Sequence, residues 1–299
     1  MAVREIAVES EGRRLGAWYL RAEDESLATG AGRPCVVMAH GFGATRDSGL
    51  LPFAEGFAAA GADVLLVDYR GFADSEGDPR RNIDHRTHRR DYHAAVARAR
   101  LIEGVDPARI VLWGSSYAGG HVVAVAAQDR RIAGVISQGA AMDGLGAVLE
   151  ILRYAGPAQL LKLSGHAIVD AVGALLGRRE HRVGIYGPPG ATAAITAPDA
   201  APGYGAIIGP SFVNDMPARG ILTIPLNRPV TAAPRVRCPM LLVVAADDSI
   251  APPSAVRKAA ATAGGPVETL ELDCGHFDIY LGEPFATSLE RQIGFLRSL

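Results

Sequence analysis

The sequence predicts an α/β protein built on a mostly parallel sheet with helices on both faces, and three observations carry that reading. Short, continuously apolar runs recur along the chain, as expected of strands buried on both faces. Longer segments with helical periodicity separate them, the grammar of parallel strands joined by crossover helices. One long tract, from about 140 to 237, breaks the alternation and reads as an insertion. The 299 residues are long for one compact domain and short for two, which suits a single core carrying that insertion.

The chain opens on an antiparallel hairpin. Val3, Glu5 and Ala7 alternate with Arg4, Ile6 and Val8; a Glu11-Gly12 turn follows, and then Leu15, Ala17 and Tyr19 alternate with Gly16, Trp18 and Leu20. Strands are expected at 35–39, 64–68, 110–113, 132–137, 240–245 and 267–272, and helices at 50–60, 87–103, 117–128, 253–263 and 284–299. Pro107 and Pro239 stand just before their strands, and Gly61 stands where a helix should end. Within the insertion, 145–154 and 158–176 read as helical. The stretch from Val183 to Asn214 reads as loop-like, with Asp199 its only charge. Its Ile and Tyr content argues for a packed cap over one end of the sheet and against a disordered linker. The expected division is a core of 1–139 and 238–299 with a cap of 140–237.

Composition excludes several function classes. Hydrophobic residues make up 48% and charged residues 21%, and the net charge is −2, so nothing marks a nucleic-acid surface. The Arg-rich stretch from Arg80 to Arg90 is interrupted by acids and His and reads as a solvated loop and helix start. Three widely spaced cysteines, Cys35, Cys238 and Cys274, provide neither a disulfide framework nor a zinc site. The N-terminus lacks the pattern of a secretion signal, and no apolar run is long enough to span a membrane. A soluble, cytoplasmic protein with no membrane or nucleic-acid partner is the expectation, with a homodimer left open.

The chemistry centres on Ile110-Val111-Leu112-Trp113-Gly114-Ser115-Ser116-Tyr117-Ala118-Gly119-Gly120. A buried strand, small-x-Ser-x-small and a helical pattern follow one another, which is what a nucleophile elbow needs. Ser116 would occupy the strained turn, and small residues at 114 and 118 would let strand and helix approach. Ser115 is a rival by type, but its flanks would be Trp113 and Tyr117, too bulky for the turn. A serine hydroxyl needs a base, and His276, in a loop past the last strand, is placed to serve. The other seven histidines (His40, His85, His88, His93, His121, His166 and His181) read as core or surface residues. That includes His85 and His88, whose spacing alone does not make a metal site. The orienting acid comes from Asp247-Asp248 after the strand at 240–245. Asp248 is preferred and Asp247 is the runner-up. The backbone N–H groups of Phe42, in a glycine turn after an early strand, and of Tyr117 are placed to stabilise an oxyanion.

Together, His40-Gly41-Phe42-Gly43, the Asp68-to-Gly77 loop, the Ser116 elbow, the Asp248 loop and Gly275-His276-Phe277 resemble the α/β-hydrolase superfamily. The resemblance is nearest to dienelactone-hydrolase-like and serine-aminopeptidase-like esterases, a branch that includes polyketide-associated acyl hydrolases and transferases. Ala118 replaces the second glycine of the strict elbow pattern. The resemblance implies an eight-stranded sheet, a cap after the sixth strand, no cofactor, and Ser116, Asp248 and His276 as a triad. It also implies that Asp68 and Arg70 shape the floor of the site and do no catalysis. The activity so implied is cleavage of a small-molecule carboxylic ester, with an apolar acyl or alcohol group, through an acyl-enzyme. A thioesterase or acyltransferase and a non-catalytic binding protein are the alternatives.

Overall fold

The computed structural model describes residues 3–299. Eight strands form one sheet. They are β1 (Val3–Ser10), β2 (Arg13–Leu20), β3 (Arg33–Ala39), β4 (Asp63–Val67), β5 (Val105–Ser115), β6 (Ile132–Gln138), β10 (Met240–Ala245) and β11 (Val267–Leu272). Their spatial order is β1-β2-β4-β3-β5-β6-β10-β11. The hairpin β1–β2 and the β2–β4 contact are antiparallel, and every other pair is parallel. The expected class and the eight-stranded sheet are thus present.

Helices α1 (Leu51–Ala59) and α7 (Gly282–Ser298) cover one face. On the other lie α2 (His85–Ala99), α3 (Tyr117–Ala126) and α6 (Pro253–Thr262). Strand β3 shows how alternation feeds both cores: Cys35, Val37 and Ala39 pack toward α2 and α3, while Val36 and Met38 pack toward α1. Several boundaries differ from expectation. Strand β5 begins at Val105, so Pro107 lies inside it. A register shift against β6 between Ile110 and Val111 leaves the well-paired stretch starting at Val111. Helix α2 ends at Ala99, short of 103, and α3 ends at Ala126, short of 128.

Between β6 and β10 the chain forms α4 (Gly144–Leu175), strands β7 (Arg182–Tyr186), β8 (Ala193–Ile195) and β9 (Met216–Pro217), α5 (Ala200–Ile207) and a 3-10 helix at Ala218–Leu226. Helix α4 is two helices joined at Gly156, whose φ of 74° breaks the run just before Pro157. The stretch 183–214 is not loop-like: it carries β7, β8 and α5 and buries Ile185, Ala194, Ala197 and Tyr204. Its strands are too short, and its residues too small, for periodicity to reveal them. Asp170 ties the segment together. Its buried carboxylate accepts from His181 N at 2.8 Å and Arg219 N at 2.9 Å, linking α4 to the chain on both sides of β7 and β9. Among the described residues no helix is long and apolar enough to cross a membrane, and all three cysteines are free.

Candidate active site

Strand β5 delivers Ser116 to the carboxyl edge of the sheet. There the chain must reverse into α3 within one residue, and Ser116 takes φ 58° and ψ −120°, outside the regions that L-residues favour. The turn is held from both sides: Ser116 N donates to Gln138 O at 2.8 Å, and Ala141 N donates to Ser116 O at 2.9 Å. Space explains the neighbours. A Cβ at Gly114 would lie 2.4 Å from the Ala118 carbonyl oxygen, and one at Gly41 would lie 3.1 Å from Ser116 Cβ. Ala118 itself is accommodated and fully buried.

Ser116 Oγ lies 3.0 Å from His276 Nε2, and His276 Nδ1 lies 2.5 Å from Asp248 Oδ2. The carboxylate can only accept, so Nδ1 carries the proton, and Nε2 is left as acceptor for the Ser116 hydroxyl. Asp248 is buried and anchored through its other oxygen, which accepts from Ile250 N at 2.8 Å and Ala251 N at 2.7 Å. Asp247 is exposed and makes no contact with His276; its backbone N–H donates to Cys274 O. Burial by itself would lower the His276 pKa, but the adjacent Asp248 carboxylate, with a smaller contribution from Asp199, leaves it above the usual histidine value.

Ser115 points elsewhere. Its buried Oγ lies 2.6 Å from the Tyr280 hydroxyl, which donates to it, and 3.3 Å from Gln138 Nε2. The loop after β3 brings Phe42 beside Ser116, and its ring packs edge-on against Tyr117 at 5.4 Å. Neither the Phe42 nor the Tyr117 N–H donates to an acceptor among the described residues. Tyr117, as the first residue of α3, adds the positive end of a helix dipole.

The Asp68–Gly77 loop supports this arrangement from behind. Asp68 accepts from Arg46 N at 2.7 Å and Arg46 Nη1 at 2.6 Å, which ties the loop after β3 to the end of β4. Burial pushes the Asp68 pKa up to about 7, against the pull of Arg46. Arg70 is turned away, bound to buried Asp91 and to Glu11. Burial disfavours the charged form of the histidines in the core. Burial pushes His40 and His88 down to about 3 and His85 down to about 4. Expectation placed these residues in the core or at the surface as satisfied groups, but among the described residues neither His88 nor His121 has a hydrogen-bond partner on either nitrogen. His88 instead stacks on Tyr69, with ring centroids 4.0 Å apart. Among the described residues no group of three or more His, Cys, Asp or Glu could hold a metal.

Two cavities meet at Ser116. The larger, about 620 Å³ of empty space including open solvent, runs under α4 and the 218–226 helix. Ala147, Ile151, Ile195, Ile224 and Ile250 line it, with Asn227 and Tyr154 the main polar groups apart from Ser116. The smaller lies on the opposite side, between His276, Tyr204, Ile207 and Tyr280. Apart from His276, these lining residues were not singled out in the sequence, because most come from the stretch between β6 and β10, which carries no motif.

Residues 36–287 match the alpha/beta hydrolase family. The chain belongs to that family. It is 40% identical over 298 residues to the quorum-quenching protein AidA of Acinetobacter baumannii, covering 99% of this chain and 94% of AidA. Among solved structures, DcsB in complex with a substrate analogue superposes with a TM-score of 0.84 at 20% identity, covering 99% of both chains. The alpha/beta hydrolase GrgF of Penicillium sp. superposes at 0.82 with 21% identity, covering 100% of this chain and 99% of GrgF. At such identities these two likenesses speak to the fold of this family member.

Proposed function

We propose that the protein is a serine hydrolase that cleaves neutral carboxylic esters through an acyl-enzyme. The observation that carries this reading is the hydrogen-bonded chain Ser116–His276–Asp248, set beside two backbone N–H groups without acceptors. Ser116 Oγ attacks the carbonyl carbon while His276 Nε2 takes its proton. Asp248 stabilises the imidazolium, and the Phe42 and Tyr117 amides receive the charge that develops on the carbonyl oxygen. As the intermediate collapses, His276 gives the proton to the departing oxygen. Water then repeats the sequence on the acyl-enzyme.

The leaving group must lie near the proton it receives, so the cavity that includes His276 takes the alcohol and the larger apolar cavity takes the acyl group. Apart from His276 and neutral tyrosine hydroxyls, no ionisable side chain is among the residues that line either cavity, which favours an uncharged substrate. In this reading 140–237 acts as a cap whose apolar residues select the acyl chain. Ala147→Phe is expected to fill the acyl cavity. Measured on p-nitrophenyl esters, kcat/KM for octanoate should fall about tenfold relative to acetate. An equal effect on both chain lengths would place the acyl group elsewhere.

A thioester is attacked by the same groups, and water access decides between hydrolysis and transfer. Matched oxoesters, thioesters and lactones of one acyl group, assayed for free acid and for transfer to added alcohol, separate these activities. Lactones belong in the panel because they are cyclic esters open to the same attack. No turnover of any of them would leave the proposal without support.

Activity should fall as pH drops, because the protonated imidazole cannot accept the Ser116 proton. Since the His276 pKa is raised, the midpoint of kcat/KM is expected above the ordinary value of about 6.5. Flat activity between pH 5 and 8 would remove His276 as the base.

A further inference from the structure

We infer that Tyr204 is a positioning residue that holds the Phe42 amide where the tetrahedral intermediate needs it. The inference rests on the reading of Phe42 as an oxyanion donor. Tyr204 lies on α5, in the inserted segment, yet its hydroxyl donates to the Phe42 carbonyl at 2.8 Å across a buried contact. The peptide before Phe42 is held as well, because His40 Nδ1 lies 3.0 Å from the Gly41 carbonyl oxygen. That carbonyl can only accept, so Nδ1 is the donor. The Gly41 carbonyl and the Phe42 N–H belong to one planar unit, so fixing the first aims the second in the opposite direction. Tyr204 fixes the following peptide. With both flanking units tied, the Phe42 N–H has little freedom to swing.

The Tyr204 ring is itself clamped. It stacks on Tyr186 with centroids 4.6 Å apart and planes 4° apart, and it packs on Phe277, the neighbour of His276, at 5.1 Å. A Cβ at Gly203 would overlap the Phe277 ring at 2.0 Å, so α5 is pressed onto the histidine loop with no room to spare. One side chain of α5 therefore braces two of the segments that carry catalytic groups in this reading, the Phe42 loop and the His276 loop. Burial keeps the phenol protonated and hence a donor throughout the neutral range.

An oxyanion donor acts only when it lies within a few tenths of an ångström of the developing charge, and losing one outright costs about 10²–10³ in kcat. Tyr204→Phe keeps the ring and its stack but frees the Phe42 carbonyl to seek another donor. Its kcat should fall about tenfold with KM little changed, a partial form of that loss. A trifluoromethyl ketone matching the best ester should bind more weakly by a similar factor, because it mimics the oxyanion where the ground-state ester does not. Tyr186→Phe, which removes a hydroxyl from the other ring of the stack, serves as the control. A Tyr204→Phe enzyme with wild-type kcat and inhibitor affinity overturns the inference, as does one altered in KM alone. Tyr186→Phe matching its loss would assign the effect to packing and overturn it too. If wild-type turnover survives Ser116→Ala, the serine-hydrolase reading fails and takes this inference with it.

Discussion

Ser116→Ala is expected to lower kcat by about 10⁶-fold, leaving only the residual catalysis that binding and the oxyanion donors supply. The physical reason is that no other nucleophile can take its place. Ser116 Oγ is the hydroxyl within reach of His276 Nε2, at 3.0 Å, while Ser115 Oγ is committed to Tyr280 and Gln138 in the core. The fold should survive, since alanine tolerates the same backbone and removes no core contact; circular dichroism and a melting curve check this. Ser115→Ala makes the contrast. It should keep turnover while losing about 1 kcal/mol of stability, because the partly buried Tyr280 hydroxyl loses its acceptor.

Asp248→Asn is expected to cost about 10⁴-fold in kcat with the geometry nearly intact. The anchored oxygen would still accept from the Ile250 and Ala251 N–H groups, so the new amide NH₂ must face His276 Nδ1. Two donors cannot face each other, and the imidazole would switch its proton to Nε2. That nitrogen could then no longer accept from Ser116. Asp247→Asn should leave kcat close to wild type, because its side chain is exposed and faces no catalytic group. Steady-state kinetics on the two variants side by side decides which carboxylate matters; equal losses would contradict the assignment to Asp248.

The elbow was legible because its requirements are local: a strand, one residue of unusual backbone, small neighbours and a helix. The histidine was legible from its place after the last strand. Two adjacent carboxylates left the acid open, since the turn at Ile250 and Ala251 that aims Asp248 inward leaves no mark beyond ordinary loop residues. The start of β5 was missed because Pro107 and exposed neighbours disguise its first residues. The insertion was least legible. Its strands β7 and β8 span only five and three residues, and Tyr204 bonds a partner 162 residues away in the chain. The aromatic residues Tyr186, Tyr204 and Phe212, set in a tract with a single charge, were the one available signal. Burial of tyrosine in such a tract points to packing around a site, but it does not say which loop is held.

Activation of Ser116 as a nucleophile is tested by intact mass after treatment with a fluorophosphonate, followed by peptide mapping. One adduct per chain on Ser116, absent from Ser116→Ala, is the predicted result. A folded wild-type protein that takes no adduct, or one labelled at Ser115, would contradict it.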